Sequence, residues 1–430
     1  MKLYKLLIAL VVFSLLLSAC GGGGAPAATE SPKVTEPLVM TVWGSQLDPE
    51  VYQARLDLFK AKNPEIPVEL LYIPSDYSQK VQTMMAGGES LCIIQVAEDV
   101  HGYSGKGQII GLNDYVSKAG VDLAKRYGGT GGLVGAYTWQ GQLYAMPDRG
   151  GALVMYYNKD MFDKAGLAYP SKDWTWKEFL DAAEKLTVRN GDTVEVYGFA
   201  AGDWWPWWMS FIYMNGGAIL DANGKPVANS PEAIEAMQFY QDLVYKYKVA
   251  PSPEDYANMG QGGPDPVFAQ GKAAMSMTGF WAVNSLSEIK ELNWDIAPLF
   301  GNKKNATVLF GSGLAIAKGC KYPEQAFKVI DFLTGAEGSM PIVTMKQDAP
   351  ANFEVLSSDA FLNAGWAGDK KINLKALADS ADIAFSLPLS PKWNEMQTVL
   401  GDNLAELFLG TKDAKTSLDI TQPLLEDLFK

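Results

Sequence analysis

The chain has 430 residues, 48% hydrophobic and 20% charged, with 36 Lys and Arg against 49 Asp and Glu, a net charge of −13 and one histidine. This core-forming composition excludes a disordered or fibrous chain and is long enough for two globular domains. The acidic balance gives no grip on nucleic acid phosphates or an anionic membrane surface, and a lone His101 excludes multi-histidine metal sites.

In chain order, Lys2 and Lys5 precede an apolar run from Leu6 to Leu17 broken only by Ser14. The run is too short to span a bilayer and long enough for an export signal. It ends in Leu17-Ser18-Ala19-Cys20, which resembles a bacterial lipobox. That resemblance implies a signal peptide over 1–19 and a lipid on the Cys20 thiol; a conventional signal cleaved elsewhere is the alternative. A lipid anchors a protein without making it span the membrane. Residues 20–37, rich in Gly, Pro, Ser, Thr and Ala, have little to bury and read as a flexible tether.

From Leu38 onward, short apolar runs alternate with amphipathic stretches, the pattern of α/β layers. Strands are predicted at Leu38 to Trp43, Val68 to Ile73 and Cys92 to Val96. Between them lie a helix from Glu50 to Lys62, ended by Asn63-Pro64, and a second through Met85, capped by Ser75-Asp76 and stopped by Gly87-Gly88. Pro147 to Gly151 reads as a loop. Thr175 and Glu178 form a capping box, and helices open at Ser230-Pro231, Tyr322-Pro323 and Ser390-Pro391. Asp221-Ala222-Asn223-Gly224 begins like a calcium loop but lacks its later ligands, so a hairpin turn is expected. Cys92 and Cys320 sit in separate strand-like contexts and read as two unpaired thiols, with a single disulfide as the alternative.

Catalytic motifs are missing. Gly102 to Gly107 has the wrong spacing for a phosphate loop, and Gly311-Ser312-Gly313 lacks the third glycine of a dinucleotide fingerprint. His101 reads as an exposed loop residue. No cofactor is expected. The aromatic residues are more informative: four of twelve tryptophans fall in Trp204-Trp205-Pro206-Trp207-Trp208. Consecutive tryptophans cannot all face one core on either a helical or a strand period, so some are expected to face a cleft or solvent. Indole faces suit the C–H faces of sugar rings, with carboxylates beside them to fix hydroxyls. Asp99, just past the third strand, and the Asp148-Arg149 pair are candidates for that role.

Tyr77 to Gly88, Leu143 to Asp148, Tyr156 to Phe162, Trp174 to Phe179, Asn215-Gly216-Gly217, Phe268 to Met275, Thr278 to Trp281, Gly311 to Ile316 and Phe332 to Gly338 together resemble the sugar-binding proteins of bacterial ABC importers. The resemblance covers nearly all the chain after the tether. It implies an α/β type II periplasmic-binding fold of two lobes, 38–148 plus 299–349 and 149–298 plus 350–430, joined by a hinge over the ligand. Trp281, Trp393 and the stretch Trp204, Trp205 and Trp207 would then stack on sugar, Asp99, Asp148 and Arg149 would bond hydroxyls, and Trp43 would close the floor. It further implies a carbohydrate ligand, an ABC permease partner, a membrane tether through Cys20 outside the cytoplasm, a monomer and no enzymatic step. Another small solute (a polyol, polyamine or sugar phosphate) is the alternative, and a surface glycoside hydrolase a more distant one. One departure is Ser90-Leu91-Cys92-Ile93, where the family usually has Pro-Asp-Ile or Pro-Asp-Val; the local turn geometry is the feature it puts at issue.

Overall fold

The structure, a computed structural model, describes residues 33–430 apart from 192, 369, 382 and 386–389. The signal segment, Cys20 and most of the expected tether lie outside these residues. From Glu36 onward the chain packs as one compact unit.

The first third follows the sequence pattern closely. β1 (Leu38–Val42), α1 (Leu47–Lys62), β2 (Val68–Tyr72), α2 (Tyr77–Ala86) and β3 (Leu91–Val96) alternate, and β1 pairs parallel with both β2 and β3. Leu38, Met40, Val42, Ile93 and Ile94 are fully buried, as strands covered on both faces require. α1 stops where the Asn63 side chain donates to the Phe59 carbonyl at 3.1 Å, just before Pro64. Asp76 precedes α2 in the left-handed region at φ 52° and makes no side-chain cap, which corrects the expected Ser75-Asp76 cap. Aspartate tolerates that conformation, so the residue supplies the turn rather than the cap. β3 begins at Leu91 despite the altered residues around it.

β4 (Met146–Ala152) is a strand where a loop was expected. It is followed by β5 (Val154–Asn158), α3 (Trp176–Leu186), α4 (Trp205–Met214), α5 (Pro231–Tyr245), β6 (Met275–Thr278), α6 (Ala282–Ser287), β7 (Trp294–Ala297) and β8 (Thr307–Ile316). Then come α7 (Pro323–Thr334), α8 (Ala336–Thr344), β9 (Ala384–Phe385), α9 (Trp393–Phe408) and α10 (Ala414–Asp427). The larger sheet runs β9-β8-β3-β1-β2, with β4 also antiparallel on β8; the smaller runs β6-β5-β7. The glycines that suggested a loop instead let β4 and β8 come together. Gly150 has φ 121°, and a Cβ there would lie 2.4 Å from the Gly311 Cα.

Local chemistry sets the helix starts. The Thr175–Glu178 box is formed, with Thr175 N donating to Glu178 at 2.9 Å and Lys177 N to the Thr175 hydroxyl at 3.1 Å. Ser230 caps α5. Ser390 instead accepts from Lys392 N at 3.1 Å in a turn, and α9 begins at Trp393. Asp221 to Lys225 closes the expected tight turn, Asp221 N donating to Lys225 O at 2.8 Å.

Two further expectations are corrected. His101 lies on the short helix Val100–Gly105, 3% exposed, with Nε2 2.8 Å from the Ala136 carbonyl, and burial lowers its pKa. Cys92 and Cys320 form a disulfide with Cα atoms 4.3 Å apart. β3 and β8 run antiparallel with Ile93 opposite Ile316, which carries Cys320, four residues on, back beside Cys92. A separation of 228 residues conceals that register from the sequence.

Candidate functional site

At the end of β1, beside the β4–β8 crossing, lies a cavity of about 350 Å³, the size range of small-molecule sites. Its polar end begins at Gly44, where φ is 135° and a Cβ would fall 2.2 Å from the Asp48 carboxyl carbon. Only glycine lets the chain fold over Asp48 there. Ser45 then donates to Asp48 Oδ2 through N at 2.7 Å and Oγ at 2.8 Å, and Gln347 Nε2 donates to Oδ1 at 2.8 Å. Arg149, from β4, also donates to Asp48 Oδ1 and lies 3.9 Å from Asp348. Burial depresses the Arg149 pKa, but Asp48 and its neighbours outweigh that and raise it. Burial pushes Asp348 up to about 6, against the opposing pull of Arg149.

Trp43 is held by a relay: its N donates to Gln95 Oε1 at 2.9 Å, and Gln95 Nε2 donates to Ser312 Oγ at 3.0 Å. Its ring leans on Tyr77, centroids 4.8 Å apart. The facing wall is aromatic. Trp204 meets Phe310 edge-on at 5.2 Å and Trp281 at 6.3 Å, and Trp281 meets Phe310 at 5.5 Å. Edge-to-face contacts of this kind hold the rings in place. The Trp281 ring folds back over Gly279, where any Cβ would lie 1.9 Å from it.

Of the residues singled out from sequence, Trp43, Arg149, Trp204 and Trp281 line the cavity. The others do not. Asp148 is 0% exposed, gripped by Arg55 through two bonds at 3.1 and 2.5 Å and by the Tyr52 hydroxyl at 2.6 Å. It is a buried ion-pair partner at an irregularity in β4, where Arg149 pairs with Ser312 and Pro147 with Gly313, so that Asp148 is left out of the ladder. Asp99 accepts from the Ser78 hydroxyl and from Ala97 N at 3.1 Å, which uses both its oxygens locally. Trp205 is 6% exposed and Trp393 1% exposed, and the two pack edge-on at 5.3 Å in the core. Trp207 turns aside onto Gly202, whose added Cβ would lie 2.3 Å from its ring. Trp204 stands at the N-cap of α4, and Trp205 and Trp208 follow on its buried side, so the cluster divides among environments as helical geometry demands.

Asp48, Phe310, Ser312, Gln347 and Asp348 line the cavity and were not singled out. Gly44-Ser45 directly after an apolar strand was the available signal for Asp48, since ligands gather past strand ends in α/β sheets. Gln347-Asp348 carries no local signal; its place depends on bridges such as Arg149 to Pro350. Among the described residues, no group of three His, Cys, Asp or Glu is placed to hold a metal ion, and no helix is long and apolar enough to cross a membrane.

The family model of bacterial extracellular solute-binding proteins matches residues 39–340. The chain belongs to that family. This solute-binding protein is 25% identical to a maltooligosaccharide ABC transporter solute-binding lipoprotein of Streptococcus pneumoniae, over 100% of this chain and 98% of the relative. A putative binding protein of Brucella abortus is also 25% identical, over 82% of this chain and 83% of its own. In structure it resembles an ABC substrate-binding protein from Listeria monocytogenes in complex with cycloalternan, with TM-score 0.81, 26% identity and coverage of 91% and 98%. Maltose-bound MalE3 of T. maritima shares the fold, with TM-score 0.75, 23% identity and coverage of 91% and 99%. The solute-binding protein thus has the two-lobe α/β type II fold, and its family works outside the cytoplasm.

Proposed function

We propose that this protein captures a carbohydrate outside the cytoplasm and delivers it, chemically unchanged, to the permease of an ABC importer. One observation carries the reading: a single cavity sets Trp43, Trp204, Trp281 and Phe310 beside Asp48, Arg149 and Asp348. Flat aromatic faces take the C–H faces of sugar rings, and buried carboxylates and a guanidinium take hydroxyls in charge-assisted hydrogen bonds. The two oligosaccharide-related proteins named above support the same ligand class.

The lobes in this reading are 38–148 plus 299–349 and 149–298 plus 350–430, and they close on the sugar about the crossing strands. Closure is a two-state hinge motion that ligand binding biases. Gly105, after β3, and Pro391, before α9, would then meet across the cleft mouth; a Cβ on Gly105 would lie 2.7 Å from Pro391 Cβ. A lipid on Cys20 would hold the protein, as a monomer, at the outer face of the membrane near its permease.

A thermal-shift screen of the purified protein against mono- and oligosaccharides, polyols and polyamines tests this. Ligand at a hundredfold excess over Kd raises stability by about 2.7 kcal/mol. Stabilisation by an oligosaccharide recovered intact is expected; stabilisation by polyamines alone, or turnover of the sugar, overturns the reading.

A further inference from the structure

The polar end of the cavity has an unequal inventory of charge. Asp48 and Asp348 both face Arg149, which is the only Lys, Arg or His among the described residues lining it. The next basic group inward, Arg55, is fully committed: it bonds Asp148 and donates to the carbonyls of Gly338 and Leu333, each at 2.7 Å. Asp48, Arg149, Asp348, Asp148 and Arg55 together hold three carboxylates and two guanidiniums. One negative charge is left over at the cavity.

The hydrogen-bonding inventory leans the same way. Arg149 and Gln347 are 8% and 5% exposed, and each keeps a buried polar atom without a partner, Nε and Oε1 respectively. Asp348 satisfies Oδ1 with Ala349 N at 2.7 Å, while its Oδ2 has only the distant Arg149 Nη1 at 3.9 Å. The end thus offers free acceptors at Gln347 Oε1 and Asp348 Oδ2 against one unpartnered donor, Arg149 Nε. A hydroxyl donates to such acceptors; a carboxylate or phosphate brings only acceptors and a like charge.

We propose that Asp48 and Asp348, set against the single cation Arg149, form a charge filter that admits neutral polyhydroxyl ligands and rejects sugars bearing a carboxylate or phosphate. The proposal rests on the carbohydrate reading and narrows it to one ligand class. Rejection of this kind comes from a built-in repulsive element rather than from a better fit to the favoured ligand. Burial raises Asp348 to about 6 while Arg149 pulls it back down, so Asp348 carries charge at pH 7.5.

The test is titration calorimetry of the wild-type protein at pH 7.5 and low salt. The probes are matched oligosaccharides, each neutral member paired with one that carries a uronic acid or a phosphate on a single ring. Expected is binding of neutral members with at least about tenfold preference over their acidic partners, narrowing as salt screens the repulsion. Equal or tighter binding of acidic members overturns the filter and leaves the carbohydrate reading intact. Binding of neither set at millimolar concentration overturns the carbohydrate reading itself, and the filter with it. Asp348→Asn, with Asp48→Asn as the second variant, is expected to reduce the neutral-to-acidic ratio several-fold. An unchanged ratio in a variant that keeps the wild-type melting temperature overturns the assignment to these residues.

Discussion

Arg55 and Asp148 face each other with both side chains at 0% exposure, joined by two parallel bonds, and the Tyr52 hydroxyl donates to the same carboxylate at 2.6 Å. Asp148 adjoins the cavity-lining Arg149 in sequence, yet its role is to neutralise a buried guanidinium beneath the site. Removing one partner of such a pair strands the other's charge and costs about 3–5 kcal/mol. Asp148→Ala is expected to lower stability to urea by roughly that amount. Residual folded protein should keep its ligand affinity within a few-fold; a large affinity loss at full stability would place Asp148 in the binding site after all.

The tryptophans divide into two classes by where their faces lie. Trp281→Ala and Trp204→Ala open the cavity wall and are expected to weaken binding of the sugar found by screening by about 2 kcal/mol or more, as buried aromatic anchors do. Trp393→Ala removes a ring that is 1% exposed and packed on Trp205. It should cost about 3–5 kcal/mol of stability, the range for large core aromatics. Calorimetry and denaturant melts on the same three variants separate the two effects.

The Cys92–Cys320 disulfide closes a loop of 228 residues between β3 and the turn after β8. Cross-links of this kind contribute about 2–4 kcal/mol, chiefly through the unfolded chain. The double substitution of both cysteines by serine is expected to lower the melting temperature of an exported protein, with the ligand site unaltered. Native wild-type protein should show neither thiol to an alkylating reagent until it is reduced. Prompt labelling of Cys320 without reductant would overturn the pairing.

Glu98 follows β3, and burial, reinforced by the neighbouring Asp99, pushes its pKa to about 7 from an ordinary 4.5. The folded state therefore binds this proton more tightly than the unfolded chain. Its contribution is fully present below about pH 4.5 and is lost as pH rises through about 7. Glu98→Gln is expected to match wild type in melting temperature at pH 4 and to exceed it at pH 8. A variant less stable at pH 8 would mean that the ionised carboxylate is the favoured form.

Gly105 tests closure. At the end of its short helix its backbone is in an ordinary conformation, and only the approach of Pro391 requires the missing side chain. Gly105→Leu is expected to weaken sugar binding about tenfold if closure brings Pro391 against Gly105, because the wedge then disfavours the closed state. Unchanged affinity, measured by calorimetry, would show that the contact plays no part in capture.

The alternation of β1, α1, β2, α2 and β3 was legible in the sequence because each element announces itself through local features: an apolar run, a helix-ending proline, a glycine pair. The Thr175–Glu178 box and the Asp221 turn were legible for the same reason, since every group involved lies within a few residues. That Trp204 to Trp208 cannot all be buried together also followed from sequence, because no single periodicity buries them all. Which ones are buried was decided by the tertiary structure, when Trp204 fell at the N-cap of α4 and Trp205 turned inward onto Trp393. The same holds for Asp148 against Arg149, where a register shift in β4 skips Asp148 while Arg149 stays paired with Ser312, and for Cys92 with Cys320, which meet only through the register of β3 on β8. Asp48 and Asp348 converge on Arg149, and Gln347 bonds Asp48, from positions up to 300 residues apart. Local propensity fixes backbone conformation within a few residues; the partners of a buried charge are set by long-range packing, which no short stretch of sequence encodes.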